Sequence, residues 1–283
     1  MKRIGIFSVV NHLFFVIISI IMVYPFWYTL VGSFMKYDEY FAKTLFLWPS
    51  SPTFEAYRLV LRTGLIYGPM RTNIIITVFG TAWSLMLTAF TAYGLSKKFP
   101  GSRLIMLIIV FTMFFYGGLI PQYVLYRRLG LLNNILVYIL PSSINTFNLI
   151  VTRTYFQGFL PDLEEAARID GCNAYSTFFR IVLPLSGPML ATIGLFYAVS
   201  YWNMFFTSVF FITSNNLRTL SDFLYRIVRA NEAEDLGYYV SKVVSIASVR
   251  MATTILVIAP ILVVYPMLQK YFVKGATIGA VKG

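Results

Sequence analysis

The chain has 283 residues, of which 58% are hydrophobic and only 12% charged, against about 25% charged in a soluble domain. A soluble globule must cover its surface with polar groups, so this composition excludes one and places the chain in a bilayer. The formal charge of +12 does not point to nucleic acid, because basic residues flank membrane spans and meet anionic headgroups there, and no nucleic-acid-binding motif accompanies it.

Only helices and closed barrels satisfy every backbone hydrogen bond in lipid. A barrel would show alternating segments of about ten residues, whereas this chain shows long continuous apolar runs. The expected fold is therefore all-α and polytopic. Six stretches reach the roughly 20 apolar residues that a span needs. The first, residues 4–34, follows Lys2 and Arg3 and contains no Asp, Glu, Lys or Arg. It is too long for the core of a signal peptide, contains Pro25 and lacks a small-residue cleavage site, which predicts a retained helix. His12, with no Cys, Asp or Glu near it in sequence, reads as a packed or interfacial side chain and not as a metal ligand. A mixed loop with turn signals at Pro49, Pro52 and Gly64 leads to the second span, 72–96. Lys97, Lys98, Pro100 and Gly101 make a tight basic turn into the third, 104–126, which Pro121 is expected to bend or end. The fourth span is 134–152. A polar segment, 153–180, carries four of the eleven acidic residues and precedes the fifth span, 181–212. A second polar loop, 213–250, precedes the sixth, 251–269. Residues 1–283 read as a single transmembrane domain, and one cysteine, Cys172, allows no intrachain disulfide.

Six spans put both termini on one side. Lys2, Arg3, Lys97, Lys98, Lys270 and Lys274 all fall on that side, which makes it cytoplasmic by the positive-inside rule. The totals, 11 Lys/Arg inside and 12 outside, carry less weight because most of the outer charges lie in two long loops. Those outer loops hold 12 Lys/Arg against 7 Asp/Glu, a surplus of five on the face where a substrate would arrive. Such a surplus steers an acidic ligand, or pairs with an acidic partner. Arg218, Arg226 and Arg229 recur at near-helical spacing and read as one basic stripe serving either role.

The cytoplasmic segment between spans four and five, 161–184, reads as two short helices with a glycine between them. Pro161 and Asp162 start the first, and Glu164 and Glu165 lie in its first turn, where the helix dipole favours anions. Gly171 suits a left-handed position that ends it. The second, about Tyr175 to Val182, is expected to stop at Pro184. A compact knob with an acidic start suits docking, or an interfacial helix packed on its own bundle. Glu165-Ala166-Ala167, Gly171 six residues after Glu165, and Ile181-x-Leu183-Pro184 together resemble the "EAA" signature of binding-protein-dependent ABC transporter permeases. Asn73, Ala92 to Ser96, Leu129 to Asn133, Trp202-Asn203 and the Gly-Ala-Val-Lys-Gly ending extend the likeness over nearly the whole chain, toward the carbohydrate, maltose-type branch that handles polysaccharide-derived oligosaccharides.

The resemblance implies a non-catalytic subunit of the bacterial cytoplasmic (inner) membrane. Its partners would be a second, related permease, two copies of an ATPase subunit and an extracytoplasmic sugar-binding protein. Glu165 to Pro184 would form a coupling helix seated on the ATPase: Glu165 meets a basic group, Ala166 and Ala167 permit close approach, Gly171 makes the bend, and Asp170 and Pro184 belong to the same segment. ATP and magnesium would bind the partner ATPase. This chain has no cofactor of its own, and its one near match to a phosphate-binding loop, Gly275 to Lys282, has the lysine misplaced. Sugars are held by aromatic faces, amides and hydroxyls, which nominates Tyr201, Trp202 and Asn203 in span five and Asn145 and Asn148 in span four as path residues. The same asparagines suit hydrogen bonds between helices. The function expected is half of the translocation path for an oligosaccharide, anionic on the charge argument (alginate- or pectin-derived). A neutral-sugar importer, an export permease and a non-transport scaffold with the same coupling helix are the alternatives.

Overall fold

The computed structural model describes residues 6–42, 47–159, 165, 167, 169–229 and 245–280. The flanking Lys2 and Arg3, Lys282, the Pro161–Glu164 start of the segment expected to be cytoplasmic and residues 230–244 of the second polar loop lie outside them. The described residues are helical, with no strand among them. Three helices are long and apolar enough to cross a membrane, and two further helix pairs pass the same test together but are bent. Contacts group the residues into two compact units, Met1–Tyr67 with Phe223–Pro260, and Gly68–Asp222 with Ile261–Gly283.

In the first unit, α1 (Ile6–Gly32) runs through Pro25, whose missing N–H breaks one rung of the ladder. The Thr29 hydroxyl donates to the Pro25 carbonyl one turn on (2.8 Å). The helix buries no side chain from Phe7 to Leu30, then packs Val31 and Met35 against Tyr28, Tyr40 and Met251. Here α2 (Tyr37–Ala42) and α3 (Glu55–Arg62) follow, and Ser33 is hydrogen-bonded to the Tyr57 hydroxyl at 2.7 Å. His12 turns back on its own helix, its Nδ1 lying 2.6 Å from the Ser8 carbonyl.

The second unit is organised by α4 (Tyr67–Ser96). Thr72, Ile76, Gly80, Ser84, Thr88 and Ala92 are all buried and fall four residues apart, which puts them on one face. Against this face lies α11 (Gly187–Trp202), and two of its tyrosines, four residues apart, reach α4. The Tyr201 hydroxyl is 2.8 Å from Ser84 Oγ and that of Tyr197 is 2.6 Å from Thr88 Oγ1. Gly80 makes room: a Cβ there would lie 2.7 Å from the Tyr201 ring.

The other helices of this unit are interrupted. The stretch expected as span three forms α5 (Ser102–Phe114) and α6 (Leu119–Arg128), bent by 115°. Pro121 is not the cause of the break. It lies in the first turn of α6, where the absent N–H costs nothing, and the chain opens at Gly117-Gly118, with Gly118 at φ +90°. Span four is divided into α7 (Leu136–Ile139) and α8 (Thr146–Phe159) around Pro141. Ahead of span five lie α9 (Ala174–Thr177) and a π-helical turn over Phe178–Val182, and α10 (Leu183–Leu185) then bends by 80° at Ser186 into α11. The stop expected at Pro184 comes one residue on, at Leu185, where the chain bends into α11. A proline collides with the carbonyl four residues back, and the wider π turn upstream moves that carbonyl away. After α11 come α12 (Phe206–Phe211) and α13 (Leu220–Arg229), and α14 spans Ile246–Ala280.

Because Gly80 faces an aromatic ring with no spare volume, Gly80→Ala is expected to destabilise the purified protein in detergent by about 1–3 kcal/mol. Thermal unfolding should show the penalty shrinking when Gly80→Ala is made together with Tyr201→Leu. An equal penalty in both backgrounds would mean that the ring is not what Gly80 accommodates.

Candidate functional site

The described part of the segment between α8 and α11 ends its first helix as a glycine-terminated helix should. Gly171 has φ +77°, and the Cys172 N–H donates to the Ala167 carbonyl at 2.9 Å, the six-residue closure of a Schellman turn. Asn173 then caps α9, its side-chain oxygen accepting the Ser176 N–H at 2.8 Å. Glu165, Asp170 and Gly171 are exposed, while Ala167 is only 3% exposed and faces this chain's own interior. Ala166 lies outside the described residues. Two apolar side chains that the sequence did not single out stand uncovered on this polar segment: Ile169 is 82% exposed and Tyr175 74%. Their signal was available, since both are large apolar residues in a run too polar to enter lipid. Pro184 is exposed as well.

An aromatic cluster ties the segment to α4. The rings of Phe90 and Phe178 stack at 4.6 Å, Tyr93 lies 5.0 Å from Phe178, and Phe156 of α8 meets Tyr93 at 6.3 Å. Arg153 Nε donates to the Leu95 carbonyl in the last turn of α4 at 2.8 Å, and Lys97 Nζ lies 4.2 Å from the Tyr93 ring centre. Packed rings thus connect the π turn that follows α9 to the ends of α4 and α8.

The path candidates fall into two groups. Asn145, Asn148 and Tyr201 line one cleft of about 570 Å³, together with Ser142, Phe147, Phe196, Tyr197 and Ser200. Asn145 accepts the Asn148 N–H at 3.1 Å and so caps α8, and its own N–H donates to the Tyr197 hydroxyl at 2.9 Å. Tyr201 is almost wholly buried and its hydroxyl is engaged by Ser84, so it shapes the wall of the cleft. Trp202 and Asn203 do not line it. The Trp202 carbonyl accepts the Asn73 side-chain amide at 2.9 Å, and the exposed Asn203 amide donates back to the Val199 carbonyl of its own helix. Asn73 also accepts the Leu220 N–H at 3.0 Å, joining the C-terminal end of α11 to the first turn of α13.

The basic stripe is corrected. Arg226 and Arg229 are exposed on α13, but Arg218 precedes that helix with its side chain 12% exposed, Nη1 3.6 Å from the buried Asp222 carboxylate and Nη2 donating to the Thr213 carbonyl. Asp222 in turn accepts from the Ser208 hydroxyl at 2.8 Å. The pair links residues 213 and 222 at the cost of desolvating both charges, with Arg218 Nε and Nη1 left without a hydrogen bond among the described residues.

A Cβ at Gly171 would meet nothing within 4 Å, so a substitution there acts through the backbone alone. Gly171→Val is expected to weaken the turn by about 1–2 kcal/mol, because a β-branched residue is an outlier at positive φ, while Gly171→Asn is tolerated. Hydrogen exchange of the Cys172 amide reads the difference: faster in the valine variant, near wild type in the asparagine variant.

Residues 84–278 match the family described as binding-protein-dependent transport system inner membrane component. The chain is 38% identical over 284 residues to the polygalacturonan/rhamnogalacturonan transport system permease protein YtcP of Bacillus subtilis (strain 168), covering 98% of this chain and 99% of that one. It is 39% identical over 281 residues to the protein LplC of the same organism, covering 98% and 95%. Among solved structures it resembles a chain of a bacterial ABC transporter involved in the import of the acidic polysaccharide alginate, with a TM-score of 0.89 and 33% identity over 96% of this chain and 98% of that one. With the family matched over most of its length and relatives similar from end to end, the chain belongs to the inner membrane components of binding-protein-dependent transport systems.

Proposed function

We propose that this chain is one of two permease subunits of an ATP-driven importer, and that its cargo is an acidic oligosaccharide. The observation that carries the reading is the segment from Glu165 to Pro184. Outside the apolar spans it presents the carboxylates of Glu165 and Asp170 beside the uncovered side chains of Ile169 and Tyr175. Apolar side chains exposed in a water-facing turn mark a surface that a partner covers, and the partner we assign to it is an ATPase subunit, present in two copies. Glu165 and Asp170 meet its basic groups and Ile169 and Tyr175 fill its cleft. Ala167 serves the close packing of the segment on its own chain.

The chain acts as a single transmembrane domain with six spans, the bent pairs α5–α6 and α10–α11 and the divided α7–α8 each counting as one or part of one. Both termini are cytoplasmic, which leaves the two long polar loops on the side where an extracytoplasmic binding protein delivers sugar. The bare apolar faces of α1 and α5, which buries no residue at all, suit lipid and the second permease. ATP and magnesium act on the ATPase alone. Closure of its two copies moves the segment, the rings of Phe178, Phe90 and Tyr93 pass the movement to α4, and the bundle alternates between inward and outward openings.

The acidic cargo rests on the relative named for polygalacturonan and on the alginate importer. The cleft between α8 and α11, lined without a charged side chain, supports a second reading, a neutral oligosaccharide.

Glu165→Lys and Gly171→Pro are expected to leave the complex assembled while reducing transport at least tenfold, with ATP hydrolysis no longer stimulated by substrate. Measured in proteoliposomes, wild-type transport and stimulation in both variants would refute the coupling role. The isolated chain is also expected to show no nucleotide binding at micromolar concentration by equilibrium dialysis, since it has no loop to cradle phosphate. Saturable binding would overturn the assignment of ATP to the partner.

A further inference from the structure

The proposed acidic cargo raises a physical question that the cleft answers: a carboxylate crossing this chain meets no cationic side chain there. What it does meet is the start of a helix. Six of the ten residues around the cleft, Pro141, Ser142, Ile144, Asn145, Phe147 and Asn148, belong to the interruption between α7 and α8 or to the first turn of α8. The other four come from α11. The fourteen-residue α8 thus begins at this cavity, and a helix start carries unpaired N–H groups and a partial positive charge of roughly half a proton. Asn145 uses its side chain and its carbonyl on the N–H groups of Asn148 and Leu149. The N–H groups of Thr146 and Phe147 find no acceptor among the described residues.

A second observation points to a ligand. Asn148 is only 4% exposed, its residue lines the cleft, and its side-chain amide has no hydrogen bond among the described residues. The amide is not among the fully buried orphaned groups, so it opens on the cavity, where a ligand can complete it. The hydroxyl of the exposed Ser200 lies across the cleft on α11, and Phe147 and Phe196 present ring surface at 52% and 38% exposure. Donors at one end, hydroxyl and amide along the wall and aromatic faces beside them match one sugar ring bearing a carboxylate.

We propose that the interrupted helix α7–α8 forms a uronate subsite within this chain, in which the start of α8 and the Asn148 amide hold the sugar carboxylate without any charged side chain. The arrangement is physically apt for a carrier. A fixed arginine would bind the anion tightly and slow its release, whereas a helix start attracts it with partial charge only. The proposal rests on the reading that the cargo is an acidic oligosaccharide.

The test uses the whole complex with its binding protein in proteoliposomes, and two cargoes, a galacturonate trisaccharide and its methyl ester. Asn145→Asp keeps the cap, since aspartate caps a helix as well as asparagine, but places a negative charge at the subsite. Asn148→Leu keeps the volume and removes the amide. The binding protein is the same throughout, so a change in the acid-to-ester ratio belongs to this chain. We expect the ratio to fall at least tenfold in Asn145→Asp and at least threefold in Asn148→Leu. A ratio unchanged in both variants, with wild-type complex transporting the acid, overturns the subsite and leaves the acidic-cargo reading standing. A wild-type complex that carries the ester but not the acid overturns both.

Discussion

The second unit depends on α4 lying close against α11, because that contact satisfies backbone groups which the interruptions of the other helices leave bare. In lipid an unpaired N–H or carbonyl has no water to turn to. The gap between α7 and α8 exposes the Asn145 N–H, and the Tyr197 hydroxyl accepts it while staying within 2.6 Å of Thr88. The end of α11 leaves the Trp202 carbonyl, and Asn73 of α4 donates to it. The start of α13 leaves the Leu220 N–H, and the same Asn73 accepts it. The first two repairs need α11 at close range, and Gly80, beneath the Tyr201 ring, makes that range possible.

This arrangement gives α4 two roles along its length. Toward Asn73 it fixes the loops that follow α11, where Asp222, Ser208 and Arg218 form a further buried polar cluster. Toward Ser96 it receives the Phe178 ring of the segment before α11 and the Arg153 side chain on its final turn. Rings in contact transmit displacement because packed side chains do not compress. The cleft is built between α8 and α11, the latter directly continuous through the Ser186 bend with the segment proposed to meet the ATPase.

Exposure has two meanings in this chain. Apolar faces on α1 and α5 are what lipid or a neighbouring span requires. Ile169 and Tyr175 belong to a polar segment, where apolar exposure costs free energy until a protein covers it. The same fractional exposure thus argues for lipid in one place and for a partner in the other, and composition around the residue decides which.

The sequence by itself determined the helical class, because apolar runs of such length leave no other way to pair the backbone in lipid. It also located the helix end at the left-handed Gly171 and the Asn173 start that follows, because those signals are local in the chain: spacing, a cap, a glycine. It nominated Asn145 and Asn148 on chemistry alone. What it could not supply was the position of the breaks. Pro121 looked like a helix end, yet it opens α6 at no cost and the break lies upstream at Gly117-Gly118, whereas Pro184 does stand next to a bend. Whether a proline breaks a helix depends on where in the helix it falls, and the helix boundaries are set by packing. Arg218 likewise fits a surface stripe by spacing, and only the buried Asp222 beside it removes it from the surface. The tertiary structure alone decided which candidates share a cavity. Trp202 and Asn203 adjoin Tyr201 in sequence, but successive residues of a helix point about 100° apart. The turn that carries Tyr201 onto α4 therefore leads Trp202 and Asn203 away from the cleft.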